Sequence, residues 1–148
     1  SRVDLAPSSE TPMHAAIYRD REDVGGIVHS HSPYASTFAS LREAIPPSHY
    51  LVAAVGREIP VADYAPPGTE ELGDLAVAAL GEDHDACLLA HHGAIAVGGT
   101  LDTAFEAALV VEFVARVHYQ ASLLGEPARL DEAEVDDLRE VFRSYGRW

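Results

Sequence analysis

Val28-His29-Ser30-His31 places two imidazoles two residues apart, and Ala90-His91-His92-Gly93 places two more directly before a glycine. Neutral imidazole nitrogens hold zinc at about 2.0–2.1 Å, and a catalytic zinc commonly keeps three protein ligands and one position open to substrate. On a strand, residues two apart share a face, so His29 and His31 can offer two ligand atoms side by side. The third ligand would come from the second pair, where the glycine permits close backbone approach. Spacing alone leaves His91 and His92 equal candidates. A lone His-x-His pair is as compatible with polar packing as with a metal, and it is the third imidazole that shifts the balance.

Composition removes several other chemistries. All ten basic residues are arginine, so this chain offers no lysine for a Schiff base, for pyridoxal phosphate attachment or for a phosphate-cradling P-loop. The 24 acidic residues give a formal charge of −14, which repels nucleic acid and anionic membrane surfaces. Cys87, the one cysteine, lies in the apolar run Ala86 to Leu89, so it forms no disulfide within the chain, reads as a core residue and fits a cytoplasmic setting. With no asparagine there is no N-glycosylation site, and no apolar stretch reaches the ~18 residues of a membrane span. The length of 148 residues suits one domain, 1–148, with a sizeable core.

The elements that must position these residues follow from local signals. Thr11-Pro12 is a cap followed by a helix-initiating proline, which puts Glu10 just outside a helix start. Gly25-Gly26 precede a strand at Ile27 to His31, and Ser32-Pro33 opens a second helix to about Leu41. Tyr50 to Val55 and Ile59 to Tyr64 are rich in strand formers around Gly56 and predict a hairpin-like pair. Thr69 with Glu70 and Glu71 caps a helix to Leu80. Cys87 to His91 and Ala94 to Val97 predict two more strands, and Asp102 to Leu124 a long helix whose stripe of Phe105, Leu109, Phe113 and Val117 serves core or interface. Asp131 and Glu134 have capping-box spacing for a last helix with a solvated acidic face. His14, His49, His84 and His118 lack paired spacing and read as packing or surface residues.

Taken in order, Pro7-Ser8-Ser9-Glu10-Thr11-Pro12, Val28-His29-Ser30-His31 and His91-His92-Gly93 resemble the motifs of the class II aldolase/adducin family, with the fuculose-phosphate aldolase pattern nearest. Ile45 to Tyr50, Tyr64 with Gly68-Thr69, and Phe142-Arg143-Ser144-Tyr145-Gly146 extend the likeness over the whole chain. The resemblance selects His92 over His91 as third metal ligand. It maps a metal-ligating or proton-transferring acid onto Glu10, whose alternative is helix-terminus electrostatics, and active-site tyrosines onto Tyr50 and Tyr145, whose alternative is packing.

The implied fold is a three-layer α/β/α domain around a mainly antiparallel sheet, usually a homotetramer with sites at subunit boundaries. The implied reaction is zinc-dependent, reversible retro-aldol cleavage of a sugar phosphate such as fuculose 1-phosphate to dihydroxyacetone phosphate and a small aldehyde. The metal takes the place of the missing Schiff-base lysine as electron sink. Pro66-Pro67 stands where the fuculose enzyme carries an aromatic residue. The family's N-terminal phosphate loops, Gly-Asn-x-Ser and Thr-x-Ser-Gly, have no counterpart, which makes the chain the C-terminal two-thirds of the family domain and predicts a partial domain. The alternatives are a sugar-phosphate epimerase or dehydratase of the same superfamily, a noncatalytic adducin-like binding module, and a zinc hydrolase.

Overall fold

Alternate residues of the two central strands face opposite ways, and each face meets its own helical layer. The computed structural model describes residues 5–144. Its four-stranded sheet comprises β1 (Gly26–Ser30), β2 (Val61–Ala62), β3 (Ala86–Leu89) and β4 (Gly93–Gly98), in the order β1-β4-β3-β2. The β1/β4 and β4/β3 pairs are antiparallel and β3/β2 is parallel. Helices α1 (Thr11–Asp20), α2 (Pro33–Leu41), α3 (Glu70–Leu80), α4 (Leu101–Leu124) and α5 (Glu132–Ser144) complete the chain.

Leu88, Ala94 and Ala96 pack with Phe38 of α2 and Val111 and Val114 of α4. Their neighbours Cys87, Leu89, Ile95 and Val97 pack with Met13 and Ile17 of α1 and Leu72, Ala76 and Leu80 of α3. Two apolar clusters separated by one sheet give the expected three layers, and burial on both faces explains why β3 and β4 are continuously apolar rather than alternating. Ile27 belongs to the α1/α3 side. By the two-residue period His29 and His31 project toward that same side, where Glu10 precedes α1.

Gly73 sets how closely α1 can approach. A side-chain carbon there would sit 2.9 Å from Ala16 Cβ and 3.2 Å from Met13 Cα. The bare backbone of α3 thus lets α1, and Glu10 at its head, lie against the sheet.

The chain departs from the sequence-based expectation at two places. Tyr50–Ala54 is a 3₁₀ helix, not a strand, because the preceding residue caps it: His49 Nδ1 accepts from Leu51 N–H at 3.3 Å and His49 C=O from Val52 N–H at 3.1 Å. The expected hairpin is therefore absent among the described residues. Ile59 instead makes an isolated antiparallel bridge with Ile45, and only Val61–Ala62 of the second run is a strand, parallel to β3. The strand expected over Cys87 to His91 ends at Leu89, where the chain turns with His91 at φ 58°.

Helices α3 and α5 keep their predicted caps, whereas neither α1 nor α2 takes the expected side-chain cap from Thr11 or Ser32. Thr69 Oγ1 accepts from Leu72 N–H at 3.3 Å, and Asp131 and Glu134 exchange 2.8 Å side-chain to backbone bonds. At α1, Glu10 occupies the cap position and Thr11 is the first helical residue, its hydroxyl bonded to Ser8 C=O at 2.6 Å. No helix among the described residues is long and apolar enough to cross a membrane.

Candidate metal centre

The last turns of β1 and the β3–β4 connection bring three imidazoles together. In the β1/β4 register His29 lies opposite Ile95 and Ser30 opposite Ala94, so the next residues on each side, His31 and Gly93, are also apposed. Gly93 makes this possible: a side-chain carbon there would run into Ser30 C=O and come 3.1 Å from His31 Cδ2. One ring nitrogen each of His29, His31 and His92 falls within 4.8 Å of the others. Ring centroids stand 4.8–4.9 Å apart around the triangle. Of the two histidines left open by spacing, His92 joins the cluster, while His91 points elsewhere and accepts from Arg42 Nε at 2.9 Å.

The donor set fits a divalent metal. His29 Nδ1–H donates to Ala94 C=O at 2.9 Å, which fixes the tautomer and leaves the Nε2 lone pair free. That Nε2 lies 3.1 Å from His31 Nε2, close to the edge of about 3.3 Å for a tetrahedron of nitrogens at zinc distance. His92 Nδ1 and Glu10 Oε2 are both buried without a hydrogen-bond partner among the described residues. Unpaired buried polar atoms are costly; Glu10 is not among the side chains whose ligand atoms converge, and it reaches His29 and His92 through its charge.

The electrostatics point the same way. Burial pushes the His29 pKa below its usual value, opposed by the Ala94 carbonyl and helped by the neighbouring His92 and His31 rings. Burial lowers that of His92 as well, with Glu10 pulling the other way. The rings are therefore held neutral, the form that ligates a metal, while the Glu10 carboxylate is close enough to act on both His29 and His92. His31 is exposed, so the cluster opens to solvent on one side.

Tyr50 makes no ring contact with this cluster. Tyr50 starts the 3₁₀ helix, is 43% exposed, and its ring neighbours are His49 and Phe142. Tyr145 is outside the described residues. His118 contacts Ser48 and Phe38, His49 contacts Phe113, and neither joins the histidine cluster.

Two residues near the ligands escaped sequence reasoning. Glu112, in the middle of α4, accepts from Tyr34 N–H at 2.7 Å and Ala35 N–H at 3.3 Å, capping the helix that starts just after His31. Ser32, the predicted cap, occupies the cap position but makes no side-chain cap bond. Arg42 closes the other end of α2 in a left-handed conformation, φ 54°. The only local hint of Glu112 is a lone acid in the apolar run Leu109 to Val114.

Comparison with known proteins gives this geometry a context. Residues 2–119 match the family model described as Class II Aldolase and Adducin N-terminal domain. The chain is 43% identical over 141 residues to a 5-deoxy-D-ribulose 1-phosphate aldolase of Bacillus thuringiensis, covering 95% of this chain and 66% of that protein. It is 37% identical over 142 residues to the L-fuculose phosphate aldolase of Escherichia coli, again covering 95% and 66%. A solved L-fuculose 1-phosphate aldolase superposes with a TM-score of 0.92 at 40% identity, over 95% of this chain and 66% of that one. The chain thus spans just under two thirds of the length of these relatives.

Proposed function

The chain belongs to the class II aldolase and adducin N-terminal domain family, and from that premise we propose that it serves metal-dependent, reversible aldol cleavage of a ketose 1-phosphate to dihydroxyacetone phosphate and a small aldehyde. The observation that carries this reading is the convergence of His29, His31 and His92, with the charge of Glu10 acting on two of them. Zinc is the metal the three-imidazole set favours. When bound, it supplies Lewis-acid stabilisation of the negative charge that develops on substrate oxygen as the carbon–carbon bond breaks.

The protein's own groups then divide the remaining work. His29, His31 and His92 fix the position of the charge, and the exposed side at His31 leaves room for substrate. Glu10 moves the proton on carbon: in cleavage it returns one to the carbon that stays with the phosphate, and in synthesis it removes that proton. Its placement at the head of α1 puts it within electrostatic reach of His29 and His92, where a carboxylate can exchange a proton with bound substrate. A phenol serves the hydroxyl proton on the aldehyde side, and Tyr50 and Tyr145 are assigned that role. Tyr50 stacks on Phe142 in its own chain, so it would act across a subunit boundary in a homotetramer. The exposed Leu101, Phe105, Leu109 and Phe113 on α4 support such an assembly. Residues 1–148 are read as one domain carrying these groups.

The relative with higher identity acts on 5-deoxyribulose 1-phosphate, which makes that sugar the first substrate to test and fuculose 1-phosphate the second. Release of dihydroxyacetone phosphate from either, abolished in His92→Ala and by chelation, is the expected result. A changed sugar configuration with no cleavage would instead identify an epimerase. No turnover by wild-type protein with zinc and either sugar would overturn the aldolase assignment.

A further inference from the structure

Helix α2 runs between the two ligand-bearing segments. Its first residue, Pro33, is two beyond His31. At its other end, Ala39 C=O accepts from His91 N–H at 3.0 Å and Arg42 Nε donates to His91 Nε2 at 2.9 Å. His91 is the residue directly before His92 and holds a left-handed backbone at φ 58°. Any displacement of α2 is thus passed to His31 at one end and to His92 at the other.

What holds α2 in place at the His31 end is not local. A helix start leaves backbone N–H groups without intrahelical partners, and Ser32 does not cap them through its side chain. Glu112 reaches across from α4 and takes two of them, those of Tyr34 and Ala35. A carboxylate there is also favoured by the positive end of the helix dipole. Around it, Phe38 and Ala35 of α2 pack with Val111 and Ala115 of α4, and the Tyr34 ring lies 5.7 Å from that of Tyr119. The packing sets the distance between the helices, and the two directed bonds set the register of the α2 start.

We infer that Glu112 is a positioning residue for the metal centre: by clamping the first turn of α2 to α4 it fixes the approach of His31, and through the Ala39 and Arg42 contacts to His91 the approach of His92. This rests on the reading that His29, His31 and His92 hold a metal. Glu112 touches none of the three imidazoles in the contacts described, so its effect is on geometry and affinity, not on proton transfer.

The test is zinc affinity by competition with a chromophoric chelator, together with the visible spectrum of the cobalt-loaded full chain, in wild type, Glu112→Ala, Glu112→Gln and Asp131→Ala. Asp131→Ala removes a helix cap of the same kind at α5. Expected is zinc binding weakened about 10-fold or more in Glu112→Ala, the scale of lost outer-shell support, with a perturbed cobalt spectrum. Glu112→Gln, which keeps one acceptor, should recover most of the affinity. Asp131→Ala should lower the melting temperature with affinity and spectrum unchanged. Wild-type binding matched by both Glu112 variants would overturn the inference alone, as would equal losses in Glu112→Ala and Asp131→Ala. No zinc binding by wild type would overturn the metal reading and the inference with it. Should Glu112→Ala fail to fold, Glu112→Gln decides: intact secondary structure with unaltered affinity and spectrum would again overturn the clamp.

Discussion

His29 Nε2 and His31 Nε2 lie 3.1 Å apart at the end of β1, with His29 Nδ1–H already committed to Ala94 C=O. Two imidazole nitrogens at that distance share a proton or a cation, and the convergence of His92 as a third imidazole, its Nδ1 buried without a hydrogen-bond partner among the described residues, favours the cation. Replacing His29 or His92 by Ala should reduce zinc affinity by more than the ~100-fold upper range of outer-shell changes. His91→Asn keeps a side chain tolerant of the left-handed backbone and should cost far less, because His91 faces Arg42. Metal content after equilibrium dialysis checks this, and equal retention of zinc by wild type and His92→Ala would dismiss the site.

Acid should release the metal only below the ordinary histidine range. The pKa values of His29 and His92 are lowered from 6.5, mainly by burial, so both rings are less protonated than unfolded-chain imidazoles at that pH. A depressed folded-state pKa contributes stability that is present above pH 6.5 and is lost as pH falls through the folded value. Bound metal competes with protons for the same lone pairs and moves release lower still. Zinc occupancy followed from pH 7.5 downward should hold through pH 6.5 and then fall; a midpoint above 6.5 would contradict the shift.

Gly93→Ala should damage both fold and site. The added methyl meets Ser30 C=O in the adjacent strand and lies 3.1 Å from His31 Cδ2, and backbone cannot yield as a flexible side chain would. Overpacking of this kind costs about 1–3 kcal/mol, and the strand separation needed to relieve it carries His31 away from His92. Melting temperature and zinc affinity should fall together. A variant with wild-type values of both would show that the β1/β4 approach is looser than the register implies.

The histidine cluster was legible because its carriers obey short-range rules. His29 and His31 share a face by the two-residue period, and Gly93 follows His92 for a steric reason visible in the sequence. Helices α3, α4 and α5 announced themselves through Thr69, the apolar periodicity from Phe105 to Val117 and the Asp131/Glu134 pair. Tyr50 to Val55 misled because its strand-forming composition was outweighed by a local cap from His49, and a strand needs a partner that composition does not name. Choosing His92 over His91 took the family resemblance, since the deciding feature is the φ of 58° at His91. Glu112 was illegible for a different reason: its partners Tyr34 and Ala35 are 78 and 77 residues away, and only the packing of α2 on α4 brings them together.

Cys87 provides an independent check on the core between the sheet and α1/α3. Its thiol is fully buried, and burial alone pushes its pKa from 9.0 to about 12. A raised folded-state pKa means the unfolded chain releases its proton first as pH rises. The corresponding stability is complete below pH 9 and is lost progressively up to about 12. The alkaline limb of the stability curve should therefore be shallower in Cys87→Ala than in wild type, whatever the offset caused by the lost sulfur. At pH 8 the native thiol should also resist alkylation and react only as fast as the chain opens, because the thiolate is the nucleophile. Rapid labelling of the folded protein at pH 8, with melting temperature unchanged, would mean that β3 is not sealed against α3 as Leu72, Ala76 and Leu80 place it.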